Sequence, residues 1–113
     1  MFFTKKEKKL LNKLKTEPFS IYYKSSLLQS WGNDFYAFDC KYNDFEIDED
    51  RYQVKFKIYF HPKETFLAKS HADLEVFKNG KVVVLDNYFQ KKLKKYLLKE
   101  GIWKFKSTTF TRL

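Results

Sequence analysis

Residues 51–60 read RYQVKFKIYF, and large apolar side chains alternate there with polar or charged ones. The apolar side chains occupy every second position, at Tyr52, Val54, Phe56, Ile58 and Phe60. Alternation with a period of two over this length predicts a β-strand with one buried face and one solvated face. We expect the solvated face to carry Lys55, Lys57 and Tyr59.

A β-hairpin is predicted downstream of that strand. Two apolar runs, 74–77 and 82–85, are separated by the segment Lys78-Asn79-Gly80-Lys81. Asn-Gly supplies the two residues of positive φ that a type I′ turn requires. The two runs are therefore expected to pair as antiparallel strands.

The chain before residue 51 predicts further strands. Residues 35–42 alternate in the same way, with one side formed by Tyr36, Phe38, Cys40 and Tyr42. Residues 19–23 are interpreted as a short strand, and residues 25–30 as a helical turn. Trp31-Gly32-Asn33-Asp34 is interpreted as a turn. Residues 43–50 are expected to form an acidic loop.

A first helix is predicted near residues 4–16. Thr4-Lys5-Lys6-Glu7 has the form of a capping box, with Thr4 as the N-cap and Glu7 at the third helical position. Leucines then recur at three- and four-residue spacing, which places them on one helical face. Pro18 marks the end of this helix.

A second helix is predicted to open at Asp86 or Asn87. Its apolar stripe comprises Phe89, Leu93, Tyr96 and Leu97. Gly101 has the position of a residue that follows a helix C-terminus. Beyond it, Trp103 and Phe105 alternate with Lys104 and Lys106, which predicts a last strand.

The order of these elements defines the expected fold class. It is α+β, with an antiparallel β-sheet of about five strands, an N-terminal helix and a second helix before the last strand. The 113 residues are expected to form a single domain, 1–113, that stabilises itself through its own core. Cys40 is the only cysteine, so no disulfide within the chain is possible.

The lengths of the apolar runs and the order of the first residues predict the cellular localisation of the protein. No apolar run approaches the length of a membrane span, and the opening residues MFFTKKEKK lack the order of a secretory signal. We therefore expect a cytoplasmic protein that does not enter a membrane.

The net charge of +9 is segregated along the chain, with basic ends and an acidic middle, and this weakens a simple argument for a polyanionic partner. Residues 51–70, with a charge of +4, and residues 87–113, with a charge of +7, favour such a partner because they supply the lysines of the strands and of the second helix. On the expected strand faces the candidate binding residues are Lys55, Lys57, Tyr59, Lys104 and Lys106, and on the second helix they are Lys91, Lys92, Lys94 and Lys95. Lysine greatly outnumbers arginine, and lysine contacts phosphates without the bidentate reading of bases that arginine provides. The leading hypothesis is a non-enzymatic accessory domain that binds nucleic acid through backbone phosphates, with little sequence specificity.

A protein partner is the alternative hypothesis. The acidic segment contains Asp44, Glu46, Asp48, Glu49 and Asp50. Such a segment suits an inhibitor, an immunity-type protein, or an interaction module of a phage or mobile element. It could also contact the lysine-rich helices of the same chain. A calcium loop is not expected, because Glu49 stands where glycine is required.

A metal-independent ribonuclease is the third hypothesis. His61 and His71 would serve as acid and base, with Lys57 or Lys69 beside the phosphate. No signature of a metal site or cofactor site is present, so neither is expected.

One local pattern resembles a nuclease family. The segment His71-Ala72-Asp73, the hairpin and Asp86 ahead of a helix are similar to the core of the PD-(D/E)XK nucleases. In that family two acidic positions bind a divalent metal. Here no proline precedes Asp73, and Tyr88 stands where the catalytic lysine is expected. The resemblance implies at most a relative without cleavage activity, and we expect no enzyme.

Overall fold

A computed structural model describes residues 3–28, 34–66 and 68–109. The elements are α1 (Lys5–Thr16), β1 (Phe19–Leu28), β2 (Asp34–Tyr42), β3 (Phe45–Ile47), β4 (Asp50–Phe60), β5 (His71–Lys78), β6 (Lys81–Val82) and α2 (Asn87–Thr109). The α+β class is confirmed, with one antiparallel sheet, an N-terminal helix and a C-terminal helix. Neither described helix has the length and apolarity needed to cross a lipid bilayer.

The sheet is an antiparallel meander in the order β1-β2-β4-β5-β6. Strand β3 also pairs with β4, on the same edge as β2, so β2 and β3 are one strand interrupted at residues 43–44. The predicted strand 51–60 is β4, at the centre of the sheet. Its alternation is confirmed, because Tyr52, Val54, Phe56, Ile58 and Phe60 are all buried.

Two tight hairpins set the register of the central strands. The β5–β6 turn has positive φ at Asn79 (51°) and Gly80 (81°), which confirms the predicted Asn-Gly turn. The β3–β4 turn has positive φ at Asp48 (51°) and Glu49 (72°), where glycine is absent. The prediction of an acidic loop over 43–50 was therefore wrong in part, since residues 45–47 form β3 and only two residues make the turn.

Both helices pack on one face of the sheet. The inward side chains of the strands, among them Phe38, Ile58 and Val76, form a single buried cluster with residues from both helices. The helical members of that cluster are Leu10, Leu14, Phe89, Leu93, Leu97 and Phe105. Burial of these apolar side chains is the main stabilising contribution to the fold.

The predicted capping box of α1 is present. The Thr4 hydroxyl accepts a hydrogen bond from the Glu7 N–H at 3.1 Å, and the Glu7 carboxylate accepts one from the Thr4 N–H at 2.8 Å. At the other end of the helix, the buried Tyr42 hydroxyl donates to the Leu14 carbonyl at 2.7 Å. This bond satisfies a carbonyl in the last turn of α1 and fixes the helix to β2.

Helix α2 is longer than the sequence predicts. Residues 103–106 are helical, so the predicted last strand was wrong, and Gly101 lies inside the helix rather than after it. Buried residues recur every fourth position at Phe89, Leu93, Leu97, Gly101 and Phe105. The Phe105 ring stacks on Phe38, with 4.6 Å between centroids and 4° between planes, and this contact holds the C-terminal part of α2 on the sheet.

Three shorter predictions were also wrong. Residues 25–28 belong to strand β1 and not to a helical turn, and Asp34 belongs to β2. The apolar run 82–85 contributes only Val82 to strand β6. The remainder of the predicted turn, residues 31–33, lies outside the described residues.

Candidate nucleic-acid interface

Lys55, Lys57 and Tyr59 lie on the side of the sheet opposite both helices, which we call the strand face. Lys55 is exposed, while Lys57 and Tyr59 are half-buried. In the described ranges both helices pack on the other side of the sheet, and the strand face carries neither of them. The strand face is therefore accessible to a ligand.

Carboxylates border the lysines of the strand face. Lys55 is paired in register with Glu75 on β5, and Lys57 is paired with Asp73 on β5 and with Asp39 on β2. These five side chains contribute to the lining of a shallow cavity of about 300 Å³. Because opposite charges sit on neighbouring strands, the potentials of the lysines and carboxylates largely cancel at the distance of a ligand.

The acidic segment mostly contacts the chain itself. Asp48 forms an ion pair with Lys9 of α1 at 2.7 Å, as expected if the segment contacts the chain's own helices. Asp44 accepts hydrogen bonds from Arg51 at 2.7 Å and from Gln53 at 3.3 Å, and these bonds lower the pKa of its carboxyl group.

Asp50 accepts a hydrogen bond from the Asn79 side chain at 2.9 Å, and this bond is the main cause that lowers the pKa of Asp50. Lys78 lies 3.3 Å from the same carboxylate. Glu46 and Glu49 are exposed. Thus three of the five acidic candidates, Asp44, Asp48 and Asp50, contact polar or charged groups of the same chain.

The two helices carry the positive charge of the protein. Together α1 and α2 contain thirteen lysines and two glutamates, a net charge of +11. Because the whole chain carries +9, the remaining residues carry −2. We call the exposed side chains of α1 and α2 the helix face, and the charge that attracts a polyanion is concentrated there.

One exposed stripe of α2 combines lysine with aromatic side chains. It comprises Tyr88, Lys92, Lys95, Lys99 and Trp103. Spacings of three and four residues place these side chains on one side of the helix. Lys91 is exposed beside the stripe, whereas Lys94 is half-buried on the flank of α2.

Lys104 and Lys106 do not join the strand face, because they belong to α2. The Lys104 ammonium donates to the Phe19 carbonyl and lies 4.7 Å from the centroid of the Phe19 ring. The Lys106 ammonium lies 5.4 Å from the ring of Phe60. The nine nucleic-acid candidates from the sequence are thus divided between two opposite sides of the molecule.

Side-chain contacts link α1 and α2 near the start and near the end of α1, in an order that makes the two helices run in the same direction. At their beginnings the Phe3 ring packs on Tyr88 and Phe89, at centroid distances of 5.7 and 5.1 Å. Near the end of α1, the Lys15 ammonium lies 5.8 Å from the centroid of the Tyr96 ring. The exposed lysines of α1 therefore extend the lysine stripe of α2 into a broader surface.

The two histidines lie at one end of the β4–β5 pair. The His71 ring stacks on Tyr59 at 4.5 Å, and its Nδ1 is 3.1 Å from the Lys69 carbonyl oxygen. The His61 N–H donates to the Ser70 hydroxyl at 2.9 Å. These contacts are those of a strand end, and they do not assign an acid or a base.

The two acidic residues of the nuclease-like pattern, Asp73 and Asp86, contact groups of the chain itself. Asp73 is paired in register with Lys57. A carboxylate oxygen of Asp86 accepts from the N–H groups of Tyr88 and Phe89 at 3.1 and 3.3 Å, so Asp86 caps the start of α2. In the described ranges no three histidine, cysteine or acidic side chains converge in a way that could hold a metal ion. Cys40 is buried, and burial raises the pKa of its thiol to about 12, which disfavours the reactive thiolate.

No family model, curated protein or solved structure matches this chain, so comparison with known proteins assigns neither a family nor a function to it. The features that sequence reasoning missed are Tyr88, Trp103 and the continuity of the lysines on α1 with those on α2. The signal for the first two was present as helical spacing through Lys92, Lys95 and Lys99.

Proposed function

We propose that this protein is a non-enzymatic basic accessory domain that binds nucleic acid through backbone phosphates, with little sequence specificity. The observation that carries the proposal is the net charge of +11 on two adjacent helices, against −2 for the rest of the chain. A surface of this kind attracts phosphates from a distance, and its binding displaces the counterions that are condensed on the nucleic acid. The proposal also places the protein in the cytoplasm.

The helix face supports this function better than the strand face. On the strand face, Lys57 has carboxylates as neighbours on both adjacent strands, and Lys55 lies between Glu75 on β5 and Lys41 on β2. On α2, the exposed stripe presents Lys92, Lys95 and Lys99 within three turns of helix, and the lysines of α1 lie alongside. Along the helices a backbone of phosphates would meet mainly positive charge, although Lys9 and Lys13 are ion-paired with Asp48 and Glu17. Across the strands it would meet mixed signs.

Lysine also determines the kind of recognition. An ammonium group on a flexible side chain neutralises a phosphate as a point charge, whereas the bidentate reading of guanine is the property of arginine. The only arginine in the described residues, Arg51, already bonds to Asp44. Binding is therefore expected to depend steeply on salt and weakly on sequence.

The test compares two triple variants of equal net charge. In one, Lys92, Lys95 and Lys99 on the helix face are changed to glutamine. In the other, the changes are made on the strand face, at Lys55, Lys57 and the exposed Lys41 of β2, which is paired in register with Lys55. Fluorescence anisotropy with a labelled oligonucleotide measures affinity at about 50 and about 200 mM salt, a range over which six or more phosphate contacts weaken binding by about a thousandfold. The helix-face variant should lose most of the affinity, and the strand-face variant should retain it.

Two results would contradict the proposal. Absence of binding by the wild type at the lower salt concentration would favour the protein-binding class. Equal losses in the two triple variants would show that net charge acts without a defined surface, and the helix face would then have no special role.

A further inference from the structure

We infer that the ligand is single-stranded and that an unstacked base enters the cleft between the end of α1 and α2, with the Trp103 ring as its stacking platform. This inference rests on the proposed function and specifies its substrate. We call this space the helix cleft. It is lined by Lys15, Phe19, Tyr96, Glu100, Trp103 and Lys104, among others.

Trp103 is the first observation. Its side chain is 67% exposed, although it is one of the largest apolar side chains of the protein. The core does not depend on it, because Phe105 and Leu97 hold the same part of α2 on the sheet. An exposed tryptophan contributes little to phosphate binding, but stacking on an aromatic ring is how proteins hold the bases of single strands.

The dimensions of the helix cleft are the second observation. Its volume is about 240 Å³. That lies just below the range of about 300–1,000 Å³ that is typical of sites for drug-sized ligands, as expected for one base. Tyr96 and Trp103 are seven residues apart on one side of α2, so the two rings stand on the same wall, two turns apart.

The charges in the helix cleft balance, because Glu17 and Glu100 line it together with Lys15 and Lys104. A cleft without net charge suits a neutral base better than a phosphate. Glu100 lies between the two aromatic residues along the wall and repels a phosphate group. Lys15 and Lys104 stand over rings that line the cleft, with their ammonium groups 5.8 Å from the Tyr96 centroid and 4.7 Å from the Phe19 centroid. The exposed stripe through Lys95 and Lys99 leads along α2 to Trp103. Phosphates would follow the lysines, while a base turns into the cleft.

A duplex does not meet this geometry. Its bases are paired and stacked, and moving one base out of the stack costs on the order of a few kcal/mol. A single strand has bases free to leave the stack and can contact the ring and the lysines at once. The inference therefore requires tighter binding of a single strand than of a duplex of the same length.

The experiment uses Trp103 as both probe and target. In a Trp31→Phe protein, Trp103 is the only tryptophan, and its fluorescence is followed as an oligothymidylate is added. Anisotropy is measured in parallel with labelled oligothymidylate and with a labelled duplex of equal length, for wild type, Trp103→Phe and Trp103→Ala. We expect quenching of Trp103, and a loss of about 5- to 150-fold in single-strand affinity for Trp103→Ala. Trp103→Phe should retain most of that affinity, and duplex affinity should change little in either variant.

Each contrary outcome has a distinct meaning. If wild type binds oligothymidylate only at low salt, as proposed, but Trp103→Ala binds equally well and Trp103 is not quenched, the cleft inference is overturned and the proposed function stands. If wild type binds neither probe at about 50 mM salt, both fail. If Trp103 fluorescence responds to phosphatidylserine vesicles and not to oligothymidylate, the helix face is a membrane surface and the inference is wrong.

Discussion

Gly101 lies directly over Ile58, where α2 crosses the centre of the sheet. A β carbon at residue 101 would be 2.9 Å from Ile58 Cγ1 and 3.5 Å from Phe56 Cε2. The absence of a side chain therefore lets the helix approach β4 closely. Glycine in a helix interior costs about 1 kcal/mol relative to alanine, and the close packing offsets this cost.

Gly101→Ala is expected to destabilise the protein despite the better helix propensity of alanine. The added methyl group must displace Ile58, and overpacking of this kind costs about 1–3 kcal/mol. Urea denaturation followed by circular dichroism measures the change. In an Ile58→Ala background the penalty of Gly101→Ala should be clearly smaller. An equal penalty in both backgrounds would show that Ile58 is not the residue that limits the space.

The same glycine explains why the end of the fold was predicted wrongly. A glycine after a periodic apolar run is typical of the residue following a helix, and Trp103 to Lys106 alternate as a strand does. Gly101 is present for a tertiary reason, the position of Ile58, which local sequence does not contain. The apolar recurrence from Phe89 through Leu97 to Phe105 was in the sequence, and it favours one continuous helix.

The sequence predicted the exposed face of a single element of the candidate site, but not which side chains of different elements lie next to each other. Alternation in β4 correctly placed Lys55 and Lys57 on a solvated face. It could not show that Asp39 and Asp73 would stand beside Lys57, because that depends on the register of three strands. Likewise, the lysines of α1 and α2 are distant in sequence, and only packing through Phe3 and Lys15 makes them neighbours.

Tyr42→Phe is expected to weaken the attachment of α1 to the sheet. The buried hydroxyl donates to the Leu14 carbonyl at 2.7 Å, and its removal leaves that acceptor without this partner. A loss of about 1–3 kcal/mol in the free energy of unfolding should follow. Tyr52→Phe is a suitable comparison on the neighbouring strand. Similar stability of Tyr42→Phe and wild type would mean that water replaces the hydroxyl without cost.

The β3–β4 turn should be improved by glycine. Glu49 has φ of 72°, a conformation that costs a residue with a side chain about 1–2 kcal/mol. Glu49→Gly should therefore raise the melting temperature. The matched control is Gly80→Ala in the β5–β6 turn, where φ is 81° and no atom lies within 4 Å of the added methyl group. Gly80→Ala should lower the melting temperature. If neither Glu49→Gly nor Gly80→Ala changed the melting temperature, positive φ would not strain the backbone of these turns.

Stability should fall in acid because of Asp44 and Asp50. The bonds from Arg51 and Asn79 lower the carboxyl pKa values in the folded protein below those of the unfolded chain. Their contribution is then complete above the unfolded pKa, about 3.9, and is lost as pH falls through the lower folded values. Urea midpoints measured as a function of pH should fall below about pH 4, and less so for Asp44→Asn/Asp50→Asn. A decline as steep in this double variant as in wild type would assign the acid sensitivity to other groups.

The salt dependence of binding should identify individual phosphate contacts on α2. For a single strand, each phosphate that the protein neutralises contributes about 0.7 to the slope of log affinity against log salt concentration. Lys95→Gln and Lys99→Gln should each make the slope shallower by about that amount, because both ammonium groups are exposed on the stripe that leads to Trp103. Lys55→Gln on the strand face provides the control, since Glu75 is the cross-strand neighbour of Lys55 on β5. A slope that changes with Lys55→Gln and remains constant with Lys95→Gln and Lys99→Gln would place the phosphates on the strand face and exclude the helices from the interface.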